Sequence, residues 1–162
     1  MTAEKEKGYL DPVDLHPFII HFPIVLLLVS AACDAVGTRT RQNSYLKVGY
    51  LLLVLTAVSA LAAALTGENA AETTQQIASI QNDLEQHENL GTAATWLAVI
   101  LTLARTHLVF KKRFDGAPRR LYLIAVLLAV IVMSASGYTG GHLVYKYGAG
   151  TEPVHKTLTD TP

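Results

Sequence analysis

The chain has 162 residues, of which 51% are apolar and only 16% are charged, and its mean hydropathy is +0.31. Soluble domains usually contain about a quarter of charged residues, so this composition excludes an ordinary soluble enzyme. The 13 Lys and Arg residues balance 13 Asp and Glu residues, which argues against a nucleic-acid-binding protein that works through a basic surface. The single cysteine, Cys33, cannot form an internal disulfide, and a cysteine-based metal site is excluded.

Four stretches of the sequence are almost free of charge, and each predicts a membrane-spanning helix. Such a helix needs about 20 mainly apolar residues. Three runs, 15–33, 48–67 and 121–145, meet this requirement, and the shorter run 89–104 meets it if Arg105 extends its charged end to the interface. We therefore predict an all-α integral membrane protein, an antiparallel up-down bundle of four transmembrane helices near 16–37, 45–67, 85–110 and 120–147.

The domain organisation follows from these spans. We predict an outer N-terminal tail at 1–14, a four-helix transmembrane domain at 15–150 and a flexible C-terminal tail at 151–162. The N-terminal tail lacks the basic region of a secretory signal, so the first span is expected to be a transmembrane helix rather than a cleaved signal. The connection from Glu68 to about Gln86 is rich in helix formers and is predicted to be partly helical. No internal repeat is evident in the sequence.

The basic residues predict the orientation of the bundle. The loops between helices 1 and 2 and between helices 3 and 4, with their flanks, contain nine: Arg39, Arg41, Lys47, Arg105, Lys111, Lys112, Arg113, Arg119 and Arg120. The opposite side contains four: Lys5, Lys7, Lys146 and Lys156. By the positive-inside rule both termini lie outside, which in a bacterium means a multi-pass inner-membrane protein with periplasmic ends.

Four of the six histidines converge on the outer leaflet in this topology. His16 and His21 lie at the start of helix 1, His87 at the start of helix 3 and His142 near the end of helix 4, and Glu68 is available at the end of helix 2. We expect His21 and His142 to form a deeper pair and His16 and His87 a shallower one. Ionisable residues within a membrane usually mark function, although an interhelical hydrogen bond or an interfacial position is the alternative for each.

Two local features of the sequence favour a ligand-binding site around His21 and His142. Pro23 lacks the amide hydrogen that would bond the carbonyl of Ile19, so helix 1 is expected to bend beside His21. Gly140 and Gly141 remove bulk from helix 4 immediately before His142. Small residues let helices approach closely or leave room for a flat ligand.

Several short motifs resemble a bacterial family of small four-helix membrane proteins that is catalogued as a domain of unknown function. The motifs are His16-Pro17-x-x-x-His21-Phe22-Pro23, Thr66-Gly67, His87 and Gly140-Gly141-His142-Leu143-Val144-Tyr145. The resemblance covers about residues 12–150. It implies a membrane location and a shared site architecture, and it suggests a respiratory or cytochrome-like setting because members look like partners of haem proteins.

The first function that fits this pattern is electron transfer through a b-type haem at the outer face. Such a haem needs two imidazoles from different helices at similar depth: His21 with His142, His16 with His87, or His87 with His142. The expected partners are the lipid bilayer, quinol, a periplasmic cytochrome or other respiratory subunits, so we predict an electron-transfer or accessory subunit rather than a stand-alone enzyme. The inner half offers only His107, so two haems stacked across the membrane are not expected.

Two other functions remain open. A non-haem site for Zn, Cu or Fe would draw its ligands from His16, His21, Glu68, His87 and His142. In that site Glu72 and Glu88 are candidates for orienting the imidazoles. Alternatively, the protein is a non-catalytic membrane subunit or scaffold whose histidines hydrogen-bond across helices. No catalytic residue is predicted.

Overall fold

The computed structural model describes the backbone of residues 12–74 and 80–149 and the side chains of residues 16–67 and 80–149. All regular structure in this part of the chain is helical: α1 (Pro12–Ile19), α2 (His21–Thr40), α3 (Asn43–Thr74), α4 (Gln81–Phe110) and α5 (Gly116–Tyr147). Four stretches are long and apolar enough to cross a membrane: 16–40, 43–67, 81–110 and 116–147. The predicted all-helical fold with four spans is confirmed, and the two predicted tails lie almost entirely outside the described residues.

The helix ends lie up to four residues from most of the predicted ones, and two differences are larger in kind. The first span divides at Ile20 into α1 and α2, next to the point where Pro23 removes a backbone donor, so the irregularity expected beside His21 is present. The helix of the second span continues seven residues beyond Gly67, to Thr74, so part of the connection from Glu68 onward is helical as predicted. The structure therefore lengthens the predicted helices without adding a span.

The four long helices form a ring of two hairpins. One hairpin is α2 and α3, and the other is α4 and α5. In the first, Gly37 packs against Leu46 near the loop, whereas Ser30, further from the loop, donates a hydrogen bond of 2.7 Å to the carbonyl of Gly49. Residues that lie further from the loop on α2 therefore contact residues that lie further from the loop on α3. This pattern is that of helices that run in opposite directions. The hairpins join through α3–α4 and α2–α5 contacts.

The interior of the ring combines alanines with larger side chains. The main buried cluster consists of Leu27, Leu53, Ala57, Ala60, Ala94, Ala98, Leu101, Tyr122, Val126, Ala129 and Met133. Most of the other large apolar side chains, such as Leu51, Leu103 and Ile124, lie on the outer surface. Because lipid is as apolar as leucine, membrane bundles bury small residues that permit close helix packing and expose large ones to the acyl chains.

The buried positions reveal an internal repeat that was not predicted from the sequence. The buried residues Pro23, Leu27, Ser30 and Asp34 of α2 recur in α4, 71 positions later, as Ala94, Ala98, Leu101 and Arg105. The buried residues Leu53, Thr56, Ala60 and Ala63 of α3 recur in α5, 73 positions later, as Val126, Ala129, Met133 and Ser136. The second hairpin therefore repeats the first, in the manner of parallel repeats related by an axis along the membrane normal.

A buried ion pair joins the two repeats near the end of the bundle that carries the loops 41–42 and 111–115, which we call the loop end. Arg105 donates to the carboxylate of Asp34, and the two residues are 1% and 0% exposed. Arg105 also donates to the Tyr122 hydroxyl at 2.8 Å and to the Leu46 carbonyl at 2.6 Å. Its charged end is thus directed into the bundle and paired, and it does not extend to the interface as the sequence suggested.

Candidate functional site

His16 lies at the end of the bundle opposite the loop end, which we call the histidine end. Its Nδ1 is 3.1 Å from Oγ1 of Thr66 on α3. That threonine hydroxyl donates its hydrogen to the carbonyls of Ala62 and Ala63, one turn earlier in its own helix. The hydroxyl oxygen is therefore the acceptor, and Nδ1 of His16 carries the hydrogen. Nε2 is left with its lone pair.

His87 on α4 has the same arrangement against α5. Its Nδ1 is 3.1 Å from the carbonyl oxygen of Ser136 and 3.1 Å from Oγ1 of Thr139. A carbonyl only accepts, and the Thr139 hydroxyl donates to that same carbonyl, so Nδ1 of His87 must also carry the hydrogen. Among the described residues no hydrogen bond reaches Nε2 of either His16 or His87.

A glycine makes room for each of these imidazoles. A Cβ atom added at Gly67 would lie 2.9 Å from Cε1 of His16, and one added at Gly140 would lie 2.9 Å from Cε1 of His87. No side chain larger than hydrogen fits at either position unless the ring moves. The glycines of the two Thr-Gly pairs are thus part of the site, and the threonine of each pair supplies the acceptor.

The two histidine sites occupy equivalent positions in the repeat. His16 and His87 are 71 residues apart, as Asp34 and Arg105 are, whereas Thr66 and Thr139 are 73 residues apart. The backbone of Ala63, the equivalent of Ser136, interacts with His16, as the Ser136 carbonyl does with His87. Each repeat therefore places one imidazole at the histidine end.

The other sequence-predicted ligands have different surroundings. His21 is exposed on the bundle, and its Nδ1 donates at 2.6 Å to the carbonyl of Pro17 in the preceding turn. His142 is also exposed; its Nε2 is 3.7 Å from Oδ2 of Asp83, and its ring stacks on Tyr138 at 6.5 Å. The side chain of Glu68 lies outside the described residues. The structure thus associates the pair expected to be shallow, while the pair expected to be deep has partners elsewhere.

A groove lies on the outer surface of α5, at residues close in sequence to those that contact His87. It has a volume of about 340 Å³ and is lined by Gly137, Tyr138, Gly141, His142 and Tyr145. A Cβ added at Gly141 would meet no atom within 4 Å, so packing does not require glycine there. The adjacent Gly140 faces His87. The groove and the His87 imidazole therefore lie on different sides of α5, at a position where two successive glycines carry no side chain.

A known sequence family matches nearly the whole chain. It is described as a predicted membrane protein, DUF2231, and the match covers residues 12–153. The chain belongs to this family. Comparisons with curated proteins and with solved structures give no match.

Sequence reasoning missed the residues that orient the imidazoles. Thr139 and Ser136 were not singled out, although Thr139 and Gly140 repeat the Thr66-Gly67 pair and each pair follows a histidine by 50 to 53 residues. That recurrence is the signal that could have identified both the repeat and the histidine pair.

Proposed function

We propose that His16 and His87 are the axial ligands of a b-type haem at the histidine end, and that the protein transfers electrons there. The observation that carries the proposal is the matched chemistry of the two rings. Each Nδ1–H is hydrogen-bonded to the opposite helix of its hairpin, and each Nε2 retains a lone pair. A hydrogen-bonded Nδ1 fixes the tautomer and orientation of an imidazole that binds iron through Nε2.

The number of ligands also favours haem over a bare metal ion. A haem supplies four nitrogens to its own iron and needs two imidazoles from the protein, and the repeat provides one from each half. Haem would supply one-electron chemistry to the site, whereas the chain's own residues hold the imidazoles in place.

The surface of α5 supports a lipid-soluble electron donor. Tyr138 and Tyr145 flank the groove, and His142 within it faces the carboxylate of Asp83. An aromatic groove with an imidazole and a nearby carboxylate suits the ring and hydroxyls of a quinol that arrives through the bilayer. The proposed setting is the bacterial inner membrane, with the histidine end on the periplasmic side.

Absorption spectra of the purified protein, oxidised and dithionite-reduced, test the haem proposal. We expect b-type bands in the wild type, and loss of these bands in His16→Ala and in His87→Ala. The matched controls His21→Ala, His142→Ala and His107→Ala should retain them. Loss confined to His21→Ala and His142→Ala would instead favour the deeper pair predicted from the sequence. Absence of haem from protein expressed with sufficient haem supply would leave metal analysis to distinguish a non-haem site from a scaffold.

The quinol groove is tested separately from haem binding. Gly141→Leu places a side chain in the groove, and because a Cβ at this position meets no atom within 4 Å, the haem spectrum and dithionite reduction should be unchanged. Reduction by a soluble quinol analogue should slow by about tenfold or more, because the leucine side chain would occupy the groove and a loss of about 1.4 kcal/mol in binding free energy is a factor of ten. Unchanged reduction by the analogue would exclude this groove as the donor site.

A further inference from the structure

A second cavity lies at the loop end, far along the bundle from the histidine pair. It has a volume of about 550 Å³ and lies between the start of α3, the end of α4 and the start of α5. Four basic residues contribute to its lining, Lys47, Arg105, Lys112 and Arg119, and one acidic residue, Asp115, does so. Because Arg105 is already paired with Asp34, the remaining charges leave an excess of two positive charges around the cavity.

The buried guanidinium in this lining has an unused donor. Both terminal nitrogens of Arg105 are bonded, but its Nε–H is buried and has no partner within the described part of the chain. The guanidinium lies 4.5 Å from the ring centre of Phe114. A buried donor without a partner costs free energy, and because Arg105 lines the cavity, an anionic oxygen that reached this nitrogen would reduce that cost.

Two helix N-termini face the same region. Asn43, the first residue of α3, and Asp115, the N-cap of α5, both line the cavity. The Asp115 side chain makes no capping hydrogen bond, so the first N–H groups of α5 are not satisfied by it. Helix N-termini carry partial positive charge and present N–H groups to anions.

Arg119 is oriented towards this region by the chain itself. Its Nε and Nη2 donate to the carbonyl of Phe114 at 3.1 and 2.7 Å, so the guanidinium is held across the loop that connects α4 to α5. Lys47 and Lys112 are exposed and approach from the other two elements. Cationic donors therefore surround the cavity from α3, the α4–α5 loop and α5.

We propose that this cavity binds a phosphate group. Donors from three directions and two excess positive charges match an anion that carries several oxygens and up to two charges, better than they match a planar carboxylate. The phosphate has two chemical sources, the headgroup of an anionic phospholipid and free inorganic phosphate. This site is independent of the histidine pair and does not rest on the haem proposal.

Two double variants distinguish specific phosphate binding in the cavity from general electrostatic attraction of anions to the basic loops. Lys112→Gln/Arg119→Gln removes two lining charges, and Lys111→Gln/Arg120→Gln removes the two neighbouring charges that do not line the cavity. Both variants have the same net charge and alter adjacent positions. Lys47→Gln, on α3, provides an independent variant that leaves the Arg119–Phe114 hydrogen bonds intact. Melting temperatures without ligand show whether each variant is folded.

The first measurement is thermal stabilisation of the detergent-purified protein by inorganic phosphate, against chloride at the same ionic strength. The second is binding of phosphatidylglycerol, against phosphatidylcholine, by native mass spectrometry. Binding of either ligand should weaken by about tenfold or more in Lys112→Gln/Arg119→Gln and in Lys47→Gln, and should persist in the control variant. A response to phosphate identifies the free anion as a ligand, and a response to phosphatidylglycerol alone identifies the headgroup. Equal weakening in the cavity and control variants, or no response to either ligand, would overturn the proposal.

Discussion

Each threonine of the histidine site contacts its imidazole through the hydroxyl oxygen. Because Thr66 and Thr139 use their hydrogens within their own helices, only their oxygens are available to His16 and His87. Replacing either threonine with valine keeps the shape and removes this acceptor. We expect each substitution to lower the free energy of unfolding by about 1 kcal/mol, measured by thermal unfolding in a mild detergent.

The repeat provides the comparison for that result. The two valine variants should have similar effects because their surroundings are equivalent. Ser59→Ala is the control, since the Ser59 hydroxyl bonds to carbonyls of its own helix. If the threonine variants were no less stable than this control, the inferred hydrogen bonds from the imidazoles to Thr66 and Thr139 would be wrong.

The glycines of α3 and α5 give a second prediction at the scale of single residues. Gly67→Ala and Gly140→Ala each introduce a Cβ at 2.9 Å from an imidazole carbon, so the ring must move. Gly141→Ala introduces a Cβ into open space and should stabilise the helix by up to about 1 kcal/mol. Melting temperatures should therefore fall for the first two variants and stay equal or rise for the third. The opposite order would mean that the imidazoles do not lie against the Thr-Gly pairs.

The buried ion pair between Asp34 on α2 and Arg105 on α4 should contribute strongly to the packing of these two helices. Removing one partner leaves the other charge buried, so Asp34→Ala and Arg105→Met should each destabilise the protein by about 3–5 kcal/mol. The double variant removes both charges and should recover a substantial part of that loss. Thermal unfolding of the three variants forms a double-mutant cycle. Additive effects would show that the two residues do not interact.

The same helices show what the sequence could and could not predict. The four spans were predictable because the lengths of uncharged runs match the thickness of a bilayer. The histidine pairing was not, since depth along a helix does not define the direction in which a side chain points. His16 and His21 are five residues apart, which corresponds to about 140° around a helix, so a ring directed inward at one position implies an outward direction at the other.

There is also a physical reason why the repeat was not predicted from the sequence. Apart from the histidines and the Thr-Gly pairs, what recurs between the hairpins is the spacing of buried positions, while the residues differ: Asp34 is matched by Arg105 and Gly49 by Tyr122. Asp34 lies against Gly49, whereas Arg105 bonds to Tyr122. These opposite charges and unequal sizes make the two halves complementary at the loop end, although they remain alike at the histidine end.

At the scale of the whole molecule, the two proposed sites lie at opposite ends of the bundle. The histidine pair lies where His16 begins the first span, and the phosphate cavity lies beside the loops that contain most basic residues. This separation makes the orientation in the membrane decisive for both. The nine-to-four distribution of basic residues predicts that the loop end is cytoplasmic and that the histidine end is outside.

Labelling of single cysteines in intact spheroplasts tests that orientation. In a Cys33→Ser background, Asn82→Cys at the start of α4 should react with a membrane-impermeant maleimide because it is exposed at the histidine end. Gln42→Cys and Arg113→Cys lie in the two short loops and should react only after the membrane is permeabilised. The reverse pattern would place the histidines in the cytoplasm, and a periplasmic electron carrier could then not reach them. Because positively charged loops resist translocation, the expected pattern should persist when the N-terminal tail is shortened.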